Sequence, residues 1–322
     1  MKTVKAVAPY IHPRGINFKH KPYEAWKVLG GKTAPAHYPP RFLHGLVFRY
    51  ELPSIVKKLS LTLKLSLKES VRLRFVEPVS LYFDTFPDYA LREVIPFVWD
   101  CWPQYFDKMC SWLEKHDVKT AIFTSSQTAE RIMERFPKMN VMWCPEAVDA
   151  SCYKEGKPLR ERSVDLLEFG RSNEKVFKAA LPKIVNHVCT MQNGKYIYTN
   201  EQLYDVMGDA KVTITLPRSM THPDVAGDIE TLTQRYWECM LSRIVMVGHA
   251  PRELVELVGY NPVIELKEHH VAEQIAEVLA HINDYQEMVC KNRETALKMG
   301  DWKMRIRDVI NFLSEYNYQC QP

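Results

Sequence analysis

Short apolar segments alternate with helical patterns along this chain, and this alternation restricts its fold more than any other feature. In the first part, the predicted strands are 3–11, 80–86, 94–100, 119–126 and 140–145, and the predicted helices are 104–115 and 126–135. Ser125 or Ser126 is expected to cap the second helix. Strands that alternate with helices favour a mainly parallel sheet with helices on its faces. We therefore predict an α/β domain over residues 1–145.

A second alternating series follows a crossing segment that begins at residue 143. Its predicted strands are 164–170, 195–199, 211–217, 243–248 and 262–266, and its predicted helices are 173–187, 200–207, one starting near 231, 251–258, 269–283 and 284–298. A chain of 322 residues exceeds the roughly 250 to 300 residues at which single cores stop growing. We predict a second domain over 146–300 and a C-terminal helix in 301–322 that packs back toward the first domain. Two such layers imply a cleft, where ligands bind beyond the carboxyl ends of the strands.

Composition excludes several classes of protein. The apolar fraction is 46% and the charged fraction 25%, as in soluble globular proteins. Because no apolar run reaches the length of a membrane span and no secretory signal is evident, a cytoplasmic location is expected. Eight scattered cysteines without a C-x-x-C pair indicate buried thiols rather than a zinc site or a disulfide framework. The net charge of +4, without a known reader motif, gives no reason to expect nucleic acid binding.

Residues 54–75 carry six basic side chains and one acidic side chain. The net charge of this segment, six minus one or +5, exceeds the +4 of the whole chain. Leucines at four-residue spacing would give a helix with an apolar stripe, whereas the alternating leucines of the same segment are typical of a strand. The segment is interpreted either as a solvated basic surface or as a peripheral contact with anionic lipid.

The segment GDIETLTQRYWECM, residues 227–240, places Glu230 and Glu238 with seven residues between them at a predicted helix start near Thr231. On a helix rising 1.5 Å per residue the two carboxylates would be about 12 Å apart, too far to share one metal ion. They would instead hold two ends of a long ligand, while the helix N-terminus between them favours a phosphate. A sugar joined to a nucleoside through a diphosphate fits this arrangement. The alternative is a surface helix with acidic residues near its positive end.

This E-x7-E segment, Glu230 to Glu238, resembles that of GT-B glycosyltransferases of the retaining, group 1 type. Three other stretches resemble the same family in the same order, namely CPEAVD, LLEFGRSNEK and DWKMRIRDVINFL. The resemblance covers residues 143–316 by motif and residues 1–142 by architecture alone. Two departures are clear: Thr231, Leu232 and Thr233 replace the usual glycine pair, and MLSR replaces a small alanine-glycine turn.

The resemblance implies a GT-B fold, with two Rossmann-like domains and mainly parallel sheets facing a cleft. It implies transfer of a sugar from a nucleoside diphosphate donor to a glycan or glycoconjugate, with retention of configuration and with neither metal nor cofactor. Glu230 would meet the donor sugar and Glu238 the ribose, while Arg171 and Lys175 would neutralise the diphosphate. The alternative for this basic pair is a solvated helix start.

Further candidates surround these residues. Thr231, Leu232 and Thr233 offer amide or hydroxyl donors to a phosphate, although the two threonines would look the same as simple helix caps. Gly170 supplies the turn after a strand. His222 lies in the loop before Glu230 and is either a donor contact or a solvated histidine.

Asp100, at the end of a predicted strand in the first domain, either positions an acceptor hydroxyl or caps a turn before Pro103. If the acceptor is a lipid-linked saccharide, residues 54–75 would dock the enzyme at the inner membrane face. The competing hypotheses are a non-catalytic GT-B domain that binds nucleotide or glycan, and another nucleotide-sugar enzyme such as an epimerase.

Overall fold

The computed structural model describes residues 1–11, 18–38, 70–170, 174–192 and 195–321. The chain forms two compact units. The first contains Met1–Pro145 and Trp302–Pro322, and the second contains Glu146–Asp301. The acceptor and donor roles expected of the two domains stay predictions.

The first unit is built on a seven-stranded parallel sheet. Its strands are β1 (Lys2–Val7), β2 (Thr33–Ala34), β3 (Ser70–Val76), β4 (Glu93–Val98), β5 (Thr120–Phe123), β6 (Asn140–Trp143) and β14 (Tyr318–Gln319). The order is β14-β1-β3-β4-β5-β6, with β2 paired to β1. Because β3 and β4 pair in parallel up to Val76 and Val98, the segments that follow them leave the same edge of the sheet.

Helices of the first unit follow the predicted alternation. They are α1 (His20–Val28), α2 (Leu81–Thr85), α3 (Asp88–Leu91), α4 (Pro103–Lys115), α5 (Ser126–Arg135) and α14 (Trp302–Glu315). As predicted, Ser125 caps α5, since its hydroxyl accepts a hydrogen bond from the Thr128 N–H. Pro103 begins α4, where its missing N–H costs no helical hydrogen bond.

The second unit is built on a five-stranded parallel sheet of order β13-β12-β11-β7-β8. Its strands are β7 (Val164–Glu168), β8 (His187–Cys189), β11 (Ala210–Thr215), β12 (Val245–Gly248) and β13 (Ile264–Glu265), while β9 (Met191–Gln192) and β10 (Lys195–Tyr196) form a separate antiparallel pair. Its helices are α6 (Glu174–Ala180), α7 (Asn200–Met207), α8 (Arg218–Thr221), α9 (Pro223–Ala226), α10 (Gln234–Leu241), α11 (Arg252–Val258), α12 (Val271–Ala280) and α13 (Gln286–Met299).

Both faces of this second sheet are buried, as continuous apolar strands require. Leu167 and Met246 pack in a cluster with Tyr236 and Trp237 of α10. Their strand neighbours point to the opposite face and pack in a second cluster with Ile275 of α12. The buried face of α10 thus fixes the helix that carries Glu238 against the sheet.

Two segments away from the E-x7-E region differ from their predicted secondary structure. Residues 81–85 of the predicted strand 80–86 form α2 instead, where the Asp84 carboxylate accepts from Ser80 Oγ at 2.6 Å and the Asp84 carbonyl accepts from Arg74 Nε at 2.6 Å. The helix predicted over 173–187 ends at Ala180, because Pro182 follows and cannot continue it. The chain then forms β8, an edge strand that the sequence did not predict.

The basic segment 54–75 is described only from residue 70, where β3 begins; residues 54–69 lie outside the described residues. Within β3, Arg74 Nη1 lies 3.2 Å from Asp88 Oδ2 and Arg72 Nε lies 3.8 Å from Asp88 Oδ1. Both arginines are buried. The prediction that they belong to an exposed basic surface is therefore wrong.

All eight cysteines are free thiols, and five of them are buried. In the part of the chain that the structure describes, the helices are too short or too polar to cross a bilayer.

Candidate functional site

The E-x7-E segment differs from its predicted geometry. Helix α10 begins at Gln234 rather than near Thr231, so Glu238 lies on the helix and Glu230 lies in the loop before it. The loop is held by burial, since the Leu232 side chain is fully buried and its N–H donates to Glu253 Oε2 at 2.7 Å. The separation expected for two glutamates on one helix therefore does not apply.

A carboxylate of the protein already occupies the N-terminus of α10. The Gln234 N–H donates to Glu146 Oε2 at 3.1 Å, and Trp237 Nε1 donates to the Glu146 carbonyl at 2.8 Å. The helix end presents N–H groups and a partial positive charge, which favour an anion. The phosphate was predicted at this position on the same grounds. Thr233 is the residue before the helix, and its side chain makes no capping hydrogen bond.

Arg235 is a functional candidate that sequence reasoning missed. Its guanidinium carbon lies 5.5 Å from the centre of the Phe169 ring. Gly170, with φ of +63°, leaves room for it, since a Cβ at this glycine would lie 2.8 Å from Arg235 Nη2. The structure thus brings a cation to the turn after β7. The sequence offered one signal for this candidate, since Arg235 is a basic residue within the E-x7-E segment.

The basic pair predicted for the diphosphate is described only in part. Lys175 is an exposed residue of α6. Arg171 lies outside the described residues, so its predicted role stays a prediction.

The Glu238 carboxylate is half-buried and hydrogen-bonded. Its Oε1 accepts from the Tyr153 hydroxyl at 2.7 Å, and the Tyr153 ring packs edge-on against Tyr204, with centroids 4.9 Å apart. Burial raises the pKa of Glu238 more than the Tyr153 hydrogen bond and the Arg235 charge lower it, so the net pKa is raised. Burial and then the Glu238 carboxylate raise the pKa of Tyr153, which keeps its proton as the donor.

Glu230 faces an imidazole. His249 Nε2 lies 3.4 Å from Glu230 Oε1, and His249 Nδ1 lies 3.0 Å from Glu265 Oε1. The backbone N–H of His249 donates to the Thr215 carbonyl at 2.9 Å, which places the His249 ring beyond the carboxyl ends of β11 and β12. Burial lowers the pKa of His249, but its hydrogen bonds and charge interactions with Glu265 and Glu230 raise it by more.

Two other predicted site residues, His222 and Asp100, have contacts of their own. His222 is exposed between α8 and α9, with Nδ1 3.0 Å from Thr221 Oγ1. Asp100 belongs to the first unit and follows β4 with φ of +50°, and its carbonyl accepts from the Trp102 N–H at 2.9 Å. No group of three metal-ligating side chains occurs among the described residues.

The structure therefore forms two groups of contacts beyond the carboxyl ends of the second sheet. One contains Gly170, Arg235 and Glu238 after β7, and the other contains Glu230 and His249 after β12. These strands lie on either side of β11. The edge thus presents one cation and two carboxylates, a set of groups able to hold an anion and several hydroxyls.

Comparison with known proteins finds no matching family model and no matching curated protein. Solved structures do match. HepE of Anabaena, in complex with UDP and glucose, has a TM-score of 0.65 at 11% identity, over 98% of this chain and 100% of HepE. Sucrose-phosphate synthase of Thermosynechococcus elongatus has a TM-score of 0.63 at 11% identity, over 98% of this chain and 99% of that chain.

A glycosyltransferase from Rickettsia africae is similar at a TM-score of 0.57 and 12% identity, over 98% of each chain. HepE has also been solved with UDP-glucose, at a TM-score of 0.64. At these identities the likeness is one of fold. The prediction from the sequence is confirmed at that level: the chain has the GT-B fold, with two Rossmann-like α/β domains and mainly parallel sheets.

Proposed function

We propose that this protein is a glycosyltransferase that moves a sugar from a nucleoside diphosphate donor to a hydroxyl of a glycan or glycoconjugate, with retention of configuration. The observation that carries the proposal is the position of Arg235, a basic residue of the E-x7-E segment, at the turn after β7. The likeness in fold to HepE, which was solved with UDP and UDP-glucose, supports the choice of donor.

The proposed donor site stabilises the leaving group by charge. A departing nucleoside diphosphate gains negative charge as the glycosidic bond breaks, and fixed cations favour that state most where water is excluded. Arg235 would share this work with Arg171 and Lys175, and no metal is then required. Because Glu146 occupies the Gln234 N–H, these cations would carry more of the charge than the helix end does.

The two carboxylates would orient the ends of the donor. Ionised carboxylates accept hydrogen bonds from hydroxyls through two oxygens, which suits a sugar at Glu230 and a ribose at Glu238. Thr231 and Thr233 would add hydroxyl or amide donors to the phosphates, and His222 would reach the donor from its loop. Leu232 contributes less than proposed from the sequence alone, because its N–H is already bound to Glu253. Asp100 would position the acceptor hydroxyl.

The test begins with binding. A thermal-shift screen of UDP, ADP, GDP and TDP should show one or more nucleotides that raise Tm, since a ligand bound only by the folded state stabilises it. The sugar donors of the nucleotides that bind are then assayed for release of nucleoside diphosphate, with and without EDTA. We expect turnover that EDTA leaves unchanged; loss of turnover in EDTA would contradict the metal-free mechanism.

Variants assign the activity to the site. Glu230→Ala should lower kcat/KM by about tenfold or more, the effect of losing about 1.4 kcal/mol or more of transition-state binding. The matched control is Glu256→Ala, which removes an exposed carboxylate of α11 that pairs with Arg252. Nucleotide binding without any turnover would favour a non-catalytic GT-B domain, and absence of binding to every nucleotide would overturn the proposal.

Contact with a membrane is a separate part of the proposal. With Arg72 and Arg74 buried in β3, it depends on Lys57, Lys58, Lys64 and Lys68. If the acceptor is a lipid-linked saccharide, the protein should sediment with vesicles containing phosphatidylserine and not with phosphatidylcholine vesicles. Replacement of the four lysines by glutamine should abolish sedimentation, and equal binding to both vesicles would contradict this part.

A further inference from the structure

The hydrogen bond between Tyr153 and Glu238 joins residues that are 85 positions apart. It uses only one oxygen of the carboxylate, Oε1, at 2.7 Å from the tyrosine hydroxyl. Tyr153 is the described donor to this carboxylate and contacts Oε1 rather than Oε2, and the Glu238 side chain is half-buried rather than sealed from solvent. The arrangement holds one oxygen from inside the protein and leaves the other for a ligand.

We propose that Tyr153 is a positioning residue, which fixes the Glu238 carboxylate so that its second oxygen accepts the ribose hydroxyls of the donor nucleotide. This inference rests on the proposed function. A glutamate side chain that is free to rotate must be ordered when ligand binds, and the ordering costs free energy. A carboxylate already held by an internal donor avoids that cost, as supporting hydrogen bonds do for the ligands of metals.

Tyr153 is itself held in place. Its side chain is buried and belongs to the core cluster that contains Tyr236 and Trp237 of α10. Its ring packs at 4.9 Å against Tyr204 of α7, which restricts the direction of the hydroxyl. Rigid support of this kind is what gives an orienting hydrogen bond its precision.

The Tyr153 hydrogen bond also acts on the ionisation of Glu238. Burial raises the pKa of Glu238, and the Tyr153 hydrogen bond and the Arg235 charge lower it by less, so they limit the rise. A donor hydrogen bond to the ionised form favours the carboxylate, which accepts hydroxyls through both oxygens. Phenylalanine in place of Tyr153 would keep the ring packing and remove this donor.

A purely structural role for the same hydrogen bond makes a different prediction. If Tyr153 only ties its segment to α10, its loss should lower stability and weaken all nucleotides equally. The ratio of Kd for a nucleotide without ribose hydroxyls to Kd for the same nucleotide with them therefore separates the two roles. A uniform loss of affinity leaves this ratio unchanged.

The experiment is calorimetric titration of the full chain with UDP and with 2′,3′-dideoxy-UDP, and with the corresponding ADP and GDP pairs. The variants are Tyr153→Phe, Glu238→Ala and, as the matched control, Tyr260→Phe. Tyr260 is a hydrogen-bonded tyrosine of the same unit, whose hydroxyl donates to Asn292 Oδ1 at 2.9 Å. Tm is measured for each variant, so that loss of fold is recognised.

We expect the wild-type protein to bind the ribose form about tenfold more tightly than the dideoxy form, which corresponds to one hydrogen bond to a charged group. In Tyr153→Phe and in Glu238→Ala this ratio should fall to about twofold or less, while Tyr260→Phe retains it. Kd for the dideoxy form should change little in Tyr153→Phe.

Three outcomes overturn the inference. They differ in whether the proposed function or the role of Glu238 is overturned with it. If no nucleotide binds the wild-type protein, the proposed function fails as well. If nucleotides bind without preference for ribose, the role of Glu238 fails. If Glu238→Ala loses the preference and Tyr153→Phe keeps it, Tyr153 alone is excluded as the positioning residue.

Discussion

His249 Nε2 lies 3.4 Å from Glu230 Oε1, so the first glutamate of the E-x7-E segment faces an imidazole. The other ring nitrogen lies 3.0 Å from Glu265 Oε1. Histidine is the side chain whose charge changes near neutral pH, and His249 lies between two carboxylates. The orientation of Glu230 is therefore linked to pH through its neighbour.

Stability should report this linkage. The pKa of His249 is raised in the folded protein, so its favourable contribution is complete below the unperturbed histidine pKa of about 6.5 and is lost as pH rises through the higher folded value. We predict that His249→Gln lowers the free energy of unfolding by about 1 kcal/mol or less at pH 5.5, because the pair is partly exposed. The difference should vanish above the folded pKa. Urea denaturation across this pH range measures it.

The control for this prediction is His269→Gln, which changes an exposed histidine of the same unit. Its difference from the wild-type protein should not follow the same pH profile. A His249→Gln difference that grows with rising pH would contradict the sign of the linkage, and a difference independent of pH would contradict the charge interaction.

Glu253 is expected to hold the loop that carries Glu230. Its carboxylate accepts from the Leu232 N–H at 2.7 Å, and the residue is 2% exposed. Glu253→Ala would leave a buried backbone donor without this partner, which should cost about 1 to 3 kcal/mol in the free energy of unfolding. KM for the donor should rise, because the loop loses its anchor.

Glu256→Ala on the same helix is the matched control for Glu253→Ala. Its side chain is 58% exposed and pairs with Arg252, so the free energy of unfolding should change by about 0.5 kcal/mol or less. Equal losses of stability in the two variants would contradict the anchoring role of Glu253.

The parallel sheets could be predicted because their signal is local. Strands such as β4, β5 and β12 are short, apolar and followed by turns, and each is buried on both faces as that pattern requires. Ser125 was predictable as a cap for the same reason, since its hydrogen bond reaches only to Thr128. These features depend on neighbours within a few residues.

The missed features depend on distant residues. Helix α10 begins at Gln234 because Leu232 is buried and bonded to Glu253, which lies 21 positions later in the chain. Tyr153 meets Glu238 across 85 positions, and no period or motif of the sequence relates them. Tertiary contacts of this kind override local propensity. The E-x7-E pattern predicted a role for the segment, but not the partners that give each glutamate its environment.

Gly170 and Gly259 form a matched pair for testing Arg235. Both adopt positive φ, +63° and +78°, so alanine should cost about 1 to 2 kcal/mol of backbone strain at either position. They differ in surroundings. A Cβ at Gly170 would lie 2.8 Å from Arg235 Nη2, whereas nothing lies within 4 Å of one at Gly259.

Gly170→Ala should therefore displace the Arg235 guanidinium and weaken nucleoside diphosphate binding by about tenfold, the effect of one charge-assisted hydrogen bond. Gly259→Ala should lose similar stability and keep its affinity. Calorimetric titration at matched fractions of folded protein measures the difference. Equal affinities in the two variants would exclude Arg235 from the diphosphate site.

Arg162 stabilises the opposite end of the second sheet, away from the proposed site. It is 3% exposed, and its guanidinium donates to the carbonyls of Ala210 at 2.7 Å, Ser242 at 3.0 Å and Arg243 at 3.0 Å. These carbonyls lie at the start of β11 and just before β12, so one side chain joins two strand entries. Burial, and then the charge of Arg243, lower the pKa of Arg162 to about 10.

Arg162→Ala would leave these carbonyls without their donor, which should cost at least about 3 kcal/mol in the free energy of unfolding. Arg160→Ala is the control, because this side chain is 70% exposed and pairs only with Glu161 among the described residues; its effect should stay within about 0.5 kcal/mol. Since Arg162 lies at the amino ends of the strands, Kd for nucleotide should be unchanged wherever the variant remains folded. A loss of affinity in folded Arg162→Ala protein, greater than in Gly259→Ala, would show that the donor site does not lie at the carboxyl edge alone.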